Sequence, residues 1–249
     1  MAFSFLTQEL AMDLGTANTI IFQNDQIVLD EPSIVAIDNH SGRCIAIGQK
    51  AKLMHERANP GIKTVRPLRD GVIADFNAAE MMIRGFIKQV NSKHKSLFTP
   101  NIKIVVGIPS GSTEVEIRAV RDSSEHAGGP DVFLIFEPMA AALGIGLDIE
   151  APKGNMVVDI GGGTTDVAIF YDESVRYTSV TPMAGEMVTK DIKKGCCIMQ
   201  DQAEMLKKRF GSCLPNNVKD NIVITIPCAH GQPPREVNVR FLAEIIKAR

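Results

Sequence analysis

The sequence predicts an α/β fold built of two related halves, and three observations predict it. Ala11-Met-Asp-Leu-Gly-Thr-Ala-Asn18 runs from apolar side chains into an Asp and then into a turn of Gly and small hydroxyl residues. Val157-Val-Asp-Ile-Gly-Gly-Gly-Thr-Thr-Asp166 repeats that order far downstream. Each loop sits in a meander of short strands, and helical patterns lie between the two meanders. Glycines permit positive φ and bring backbone N–H groups close to an anion, while an Asp at a strand end can hold the hydration shell of Mg²⁺. Two such loops suit a nucleotide clamped between two lobes.

In chain order, Glu9–Asp13 reads as the first strand and Thr19–Gln23 as its hairpin return, with Asn24-Asp25 marking the next turn. Ile27–Leu29 and Ser33–Ile37 continue the meander, and Ala46–Met54 with Ile62–Val65 forms a less regular insertion. The period then changes. Ala79, Met82, Ile83, Phe86, Ile87 and Val90 make the stripe of an amphipathic helix, capped by Asp75 or Asn77. Ile102–Ile108 is a strand, and Thr113-Glu-Val-Glu116 is a capping box opening a helix that stops at Gly128-Gly129. Val132–Phe136 is a strand, and Glu137-Pro138 opens the helix Met139–Leu147. Strands alternating with helices imply a largely parallel layer. Met156–Asp159, Asp166–Tyr171 and Val175–Val180 form the second meander. Beyond Gly185 the pattern weakens: Ala203–Phe210 is a helix ended by Gly211, Ile222–Ile226 a strand ended by Pro227, and Gly231–Pro234 a loop. Phe241, Leu242, Ile245 and Ile246 begin another amphipathic helix, after which the chain reads as cut.

Charged residues make up 22% of the 249 and the net charge is −2, so no global field favours nucleic acid or an anionic membrane. Cys44, Cys196, Cys197, Cys213 and Cys228 follow no paired or zinc-type spacing and read as reduced cytosolic thiols. Cys228-Ala-His230 supplies only two metal-ligand types, too few for a site. The N-terminus has no basic n-region and no long apolar run, which argues against secretion and membrane spanning. Phe3, Phe5 and Leu6 leave shallow bilayer insertion open beside a first strand or a free tip.

The two loops, the intervening Glu-Pro helix and the paired halves resemble the actin, heat-shock ATPase and sugar-kinase superfamily, a bilobal ribonuclease H-like fold. Within it, residues 1 to about 170 resemble the bacterial actin family MreB. The supporting strings are Asp13-Leu-Gly-Thr-Ala-Asn-Thr19, Asp30-Glu-Pro-Ser33, Arg66-Pro-Leu-Arg-Asp-Gly-Val-Ile-Ala-Asp-Phe76 and Glu137-Pro-Met-Ala-Ala-Ala142. From about Ile169, Phe170-Tyr-Asp172, Met187–Cys196, Gln202–Gly211 and Phe241–Arg249 resemble the division actin FtsA instead. The resemblance implies a first lobe over 1–145, with a small insertion at about 33–66, and a partial second lobe over 146–249. Two origins remain open: a fusion crossing in or just after Val157–Asp166, or one divergent MreB. The superfamily's distal Gly-Gly-Gly adenine loop and returning helix do not occur before Arg249, so the expectation is an incomplete second lobe, weak or no ATP binding and exposed apolar surface.

The resemblance also implies roles. Asp13 and Asp159 hold Mg²⁺ through water, while Gly15, Thr16, Ala17 and Asn18 face Gly161, Gly162, Gly163 and Thr164 as phosphate donors. Taken singly, Asp-Gly sequences are ordinary hairpin turns. Glu137 orients the attacking water, with Thr165 and Asp166 as its network partners. Glu204 and Lys207 match a Glu-x-x-Lys that contacts ribose and adenine; an i, i+3 ion pair is the plain alternative, and Lys208 offers a second register. Met81, Met82 and Met139 read as core, and Arg57, Lys63, Arg66 and Arg69 as a solvated face. The implied function is an ATP–Mg²⁺-binding cytoskeletal ATPase, doubtful as an enzyme in this shortened chain. It would assemble with itself into filaments and lie in the cytoplasm against the inner membrane face, working with the cell-wall elongation machinery and without nucleic acid. Three rivals remain: a sugar or acetate kinase, an FtsA-like division adaptor, and a non-functional fragment.

Overall fold

The computed structural model describes residues 7–55, 60–69, 72–92, 101–127, 131–172, 174–219, 221–227 and 233–249. Phe3, Phe5, Leu6, Arg57, the Gly128-Gly129 stop and Cys228-Ala-His230 lie outside the described residues. By chain contacts the protein divides into two units, Met1–Pro182 and Met183–Arg249.

The first unit opens with β1 (Thr7–Leu14), β2 (Asn18–Gln23) and β3 (Gln26–Pro32), an antiparallel meander. Asn24 and Asp25 both take positive φ, 49° and 59°, as a two-residue hairpin turn requires. The insertion is β4 (Val35–Asp38), β5 (Cys44–Ile47), α1 (Gly48–Lys52) and β6 (Ile62–Val65), and its strands form a separate sheet in the order β5-β4-β6. A small ladder of β7 (Leu68–Arg69) and β8 (Val72–Ile73) precedes α2 (Phe76–Ser92). Asp75, rather than Asn77, caps that helix: its Oδ1 accepts the Ala78 N–H at 3.0 Å. Next come β9 (Asn101–Ile108), α3 (Glu114–His126), β10 (Asp131–Phe136) and α4 (Glu137–Gly144). The expected capping box is formed, with Thr113 N–H donating to Glu116 at 2.7 Å. The expected lobe limit at 145–146 falls just past α4, inside this unit.

β10, β9 and β1 run parallel and β2 and β3 add antiparallel, giving one five-stranded sheet in the order β10-β9-β1-β2-β3. Alternation along β1 sends Leu10, Met12 and Leu14 to one face and Ala11 and Asp13 to the other. The first face meets the stripe of α2, where Ala79, Met82, Ile83, Phe86, Ile87 and Val90 are all buried, and Val120 of α3. Burial of that apolar surface anchors β1, and so fixes where Asp13 emerges. Beyond α4, β11 (Asn155–Ile160), β12 (Thr165–Tyr171) and β13 (Ser174–Thr181) form an antiparallel sheet. Its Val157, Ala168 and Phe170 close over Ala142 and Met139 of α4.

The second unit holds α5 (Gly185–Cys196), α6 (Gln200–Phe210), a 3-10 turn at Pro215–Asn217, the hairpin β14 (Val223–Ile226) with β15 (Arg235–Asn238), and α7 (Val239–Ala248). Ile192, Leu206, Ile226 and Leu242 make its core. The sequence reading leaves α5 unassigned, although Val188, Ile192 and Cys196 recur at helical spacing; its three lysines and two glycines obscure the stripe.

Phe86 is fully buried, so Phe86→Ala is expected to cost about 3–5 kcal/mol in urea denaturation. Val115→Ala on the same core's outer helix, 70% exposed, should stay within about 0.5 kcal/mol.

Candidate functional site

The two Asp-Gly hairpins meet within the first unit. In the first, the Leu14–Thr19 pair closes a turn over Gly15–Asn18. In the second, Ile160 pairs with Thr165, and the Gly161 N–H reaches the Thr164 carbonyl at 2.9 Å. The turns are in contact: a Cβ on Gly162 would stand 3.0 Å from that of Ala17, and one on Gly163 would stand 3.0 to 3.2 Å from the Thr16 side chain. A side chain at either position would crowd the facing turn and require it to give by a few tenths of an ångström.

Both turns line a cavity of about 650 Å³, together with Asp13, Glu137 and Asp159. Its remaining wall is the uncovered face of the five-stranded sheet, including Ile20, Phe22, Val105 and Ile135, and the α4 residues Ala140, Ala141 and Leu143. The structure thus brings together Asp13, Gly15, Thr16, Ala17, Asn18, Glu137, Asp159, Gly161, Gly162, Gly163 and Thr164. Thr165 sits at the start of β12, and Asp166 next to it faces Asp159 across the ladder. Glu204 and Lys207 belong to the second unit, where Lys207 Nζ lies 2.7 Å from Glu204 Oε2 and 2.7 Å from Thr189 Oγ1. The Thr189 hydroxyl in turn donates to Glu204 at 2.5 Å. Burial alone would raise the Glu204 carboxyl, but the bonds from Lys207 and Thr189 and the charges of Lys207 and Lys208 outweigh it and hold it low.

The cavity is electrostatically one-sided. Burial, then the charges of Asp13, Asp166 and Asp159, push Glu137 up to about 8. Burial, then Asp159, raises Asp13 although it opens on the cleft, because protein crowds it on the other sides. Asp166 is raised by burial first and by Asp159, against lowering hydrogen bonds from the Thr164 side chain and the Ser110 backbone. It is 2% exposed, and its Oδ1 has no hydrogen-bond partner. No Lys or Arg is found among the described residues lining the cavity. A bare polyphosphate would therefore be repelled by this lining. Among the described residues, no three His, Cys, Asp or Glu side chains converge to ligate a metal directly. Asp13 and Asp159 thus suit a hydrated Mg²⁺, which takes few protein ligands. The Gly-lined turns, the cavity's size and the carboxylate set together fit a magnesium nucleotide.

Sequence reasoning missed Ser33. It is fully buried behind the first turn, donates from Oγ to the Gly15 carbonyl at 2.6 Å, and donates its N–H to the Ala17 carbonyl at 2.9 Å. In the sequence it stands at the end of the family string Asp30–Ser33 and opens an expected strand, and neither place marks it as a partner of the turn at Gly15.

Two facing Gly turns, each rooted on a strand-end carboxylate and flanked by a mixed sheet, define an actin-like nucleotide-clamp fold. The comparisons agree. The MreB5 crystal structure of Spiroplasma citri bound to ADP superposes with a TM-score of 0.79 at 30% identity, covering 97% of this chain and 74% of that one. The same protein bound to AMPPNP gives 0.77 at 31%, covering 96% and 74%. The family model for MreB/Mbl protein matches residues 7–248, and the chain belongs to that family. The match continues through residues 170–248, so the family assignment also holds across the stretch likened to FtsA. The cell shape-determining protein MreB of Escherichia coli K12 is 44% identical over 222 residues, which are 85% of this chain and 63% of that protein. The chain therefore spans somewhat less than two thirds of that relative.

Glu137 is raised, so its protonated form favours the folded state. That contribution is complete below the ordinary carboxylate value of 4.5 and is lost as pH rises through about 8. In denaturant titrations across this window, Glu137→Gln should lose less stability with rising pH than the parent chain. Parallel profiles would refute the assignment.

Proposed function

We propose that the chain is an actin-type ATPase of the bacterial cytoskeleton, binding ATP–Mg²⁺ in the cavity between the two hairpins. The lobes of the clamp are residues 1–145, with the insertion at about 33–66, and 146–249. What carries the reading is the contact of the Gly162-Gly163 turn with Thr16-Ala17 above Asp13, Asp159 and Glu137. The ADP and AMPPNP bound by the Spiroplasma relative support the same ligand class here.

A bound magnesium nucleotide would supply the phosphoryl bond to be broken and a divalent charge that offsets the carboxylates. Backbone N–H groups of Gly15–Asn18 and Gly162–Thr164 would donate to phosphate oxygens, as nests of amides do elsewhere, with Gly161 closing the second turn through its bond to Thr164. Asp13 and Asp159 would hold the cation through its water. Glu137, once ionised, would orient the attacking water and take its proton. Thr165 and Asp166 complete the water network. Glu204 and Lys207 serve ribose and adenine on the strength of the family pattern. The reading extends to filament assembly, attachment to the inner membrane face, a cytoplasmic location and work with the cell-wall elongation machinery; a relative named as a cell shape-determining protein supports it.

Sedimentation of the chain with and without ATP–Mg²⁺ tests the assembly: nucleotide-dependent pelleting is expected, and its absence over a range of concentrations would count against it. Glu137→Ala should slow hydrolysis roughly 10²- to 10⁴-fold while leaving nucleotide affinity nearly unchanged. Equal loss of both would remove Glu137 from the chemistry.

A further inference from the structure

We propose that Ser33 is the positioning residue of the first phosphate turn, and that Thr19 fixes the direction of its hydrogen bond. The inference rests on the nucleotide reading above and names the side chain that orients the turn's donors. Ser33 lies between β3 and β4 and is fully buried, as is Thr19 at the start of β2. Neither lines the cavity; both stand behind the turn that does.

Three hydrogen bonds define the device. The Ser33 hydroxyl donates to the Gly15 carbonyl at 2.6 Å, and the Ser33 N–H donates to the Ala17 carbonyl at 2.9 Å. Thr19 Oγ1 lies 2.9 Å from Ser33 Oγ. A hydroxyl has one proton. Ser33 commits its proton to Gly15, so Thr19 must be the donor in the third bond, and the relay runs Thr19 to Ser33 to Gly15. Bonds in such a chain polarise one another, in keeping with the short second link.

The consequence follows from peptide planarity. In a trans peptide the C=O of one residue and the N–H of the next point in opposite directions, and no peptide among the described residues is cis. The Ser33 hydroxyl draws back the Gly15 carbonyl and the Ser33 backbone N–H draws back the Ala17 carbonyl, which turns the Thr16 and Asn18 N–H groups away from Ser33; both of those residues line the cavity. The buried side chain thereby sets the Gly15–Thr16 peptide, and the backbone of the same residue holds the Ala17–Asn18 peptide. Without the hydroxyl the Gly15–Thr16 peptide can rotate, and a Gly at position 15 offers little resistance.

Calorimetric titration of the full chain with ADP–Mg²⁺, AMPPNP–Mg²⁺ and adenosine tests the assignment, using Ser33→Ala, Thr19→Val and Thr19→Ser. Ser33→Ala should weaken both phosphate-bearing ligands at least about tenfold, the scale of one lost hydrogen bond to a charged group, and leave adenosine unchanged. Thr19→Val keeps the side-chain volume and should lose less, and Thr19→Ser should restore the parent affinity. An equal loss for adenosine, or no loss for ADP–Mg²⁺, would overturn the proposal. Amide hydrogen exchange in nucleotide-free protein gives a second readout: Ser33→Ala should speed exchange at Thr16 and spare both Asn18, whose peptide keeps the bond from the backbone N–H of residue 33, and the α2 amides. If the parent chain binds no nucleotide, the ATPase reading fails, while unchanged exchange at Thr16 would still decide against Ser33.

Discussion

The first unit is organised around an electrostatic constraint: Asp13, Glu137 and Asp159 line one cavity with the buried Asp166 close to them, and no basic side chain is found among the described residues lining it. Like charges at such range resist joint ionisation, and partial burial strengthens the effect. The arrangement is tolerated because the surrounding fold leaves these groups no alternative position. β1 is pinned by the α2 stripe, β11 by its ladder with β12, and α4 by contacts with both sheets. The raised values of Asp13, Glu137 and Asp166 record the electrostatic cost of that confinement.

The same packing explains why the turns carry glycine. The turns approach here so closely that a Cβ on Gly162 would crowd the Ala17 side chain and one on Gly163 the Thr16 side chain. Carbonyls of both turns find partners within the protein. Ser33 provides those partners for the first turn. The Thr164 carbonyl accepts from Gly161 within the second.

Legibility in the sequence tracked the range of the interactions. The α2 stripe, the Thr113–Glu116 capping box, the Asn24-Asp25 turn and the alternation of β1 are local, and each was readable from residues within a few positions of one another. So were the two Asp-Gly loops. β7 and β8, two residues each, are too short to show a period, and the lysines and glycines of α5 hide its buried stripe. Ser33 and the unpartnered Asp166 Oδ1 acquire their significance only from distant segments: the first from a turn eighteen positions earlier, the second from the strand carrying Asp159. The family pattern pointed to Asp166, but no spacing rule exposes an orphaned lone pair. The Glu204–Lys207 pair illustrates the reverse case, since its spacing alone fits an ion pair and the structure forms one.

The short helix α4 has a mechanical consequence. It begins at Glu137 with Pro138 in its first turn, and its eight residues touch β9 and β10 on one side and β11 and β12 on the other. A helix wedged in this way acts as a feeler gauge between two plates. Ala142 is fully buried against Val157 and Ala168, so a tilt of one sheet against the other would load the helix that carries Glu137 at its first position. Posture of the sheets and reach of Glu137 are thereby linked through eight residues.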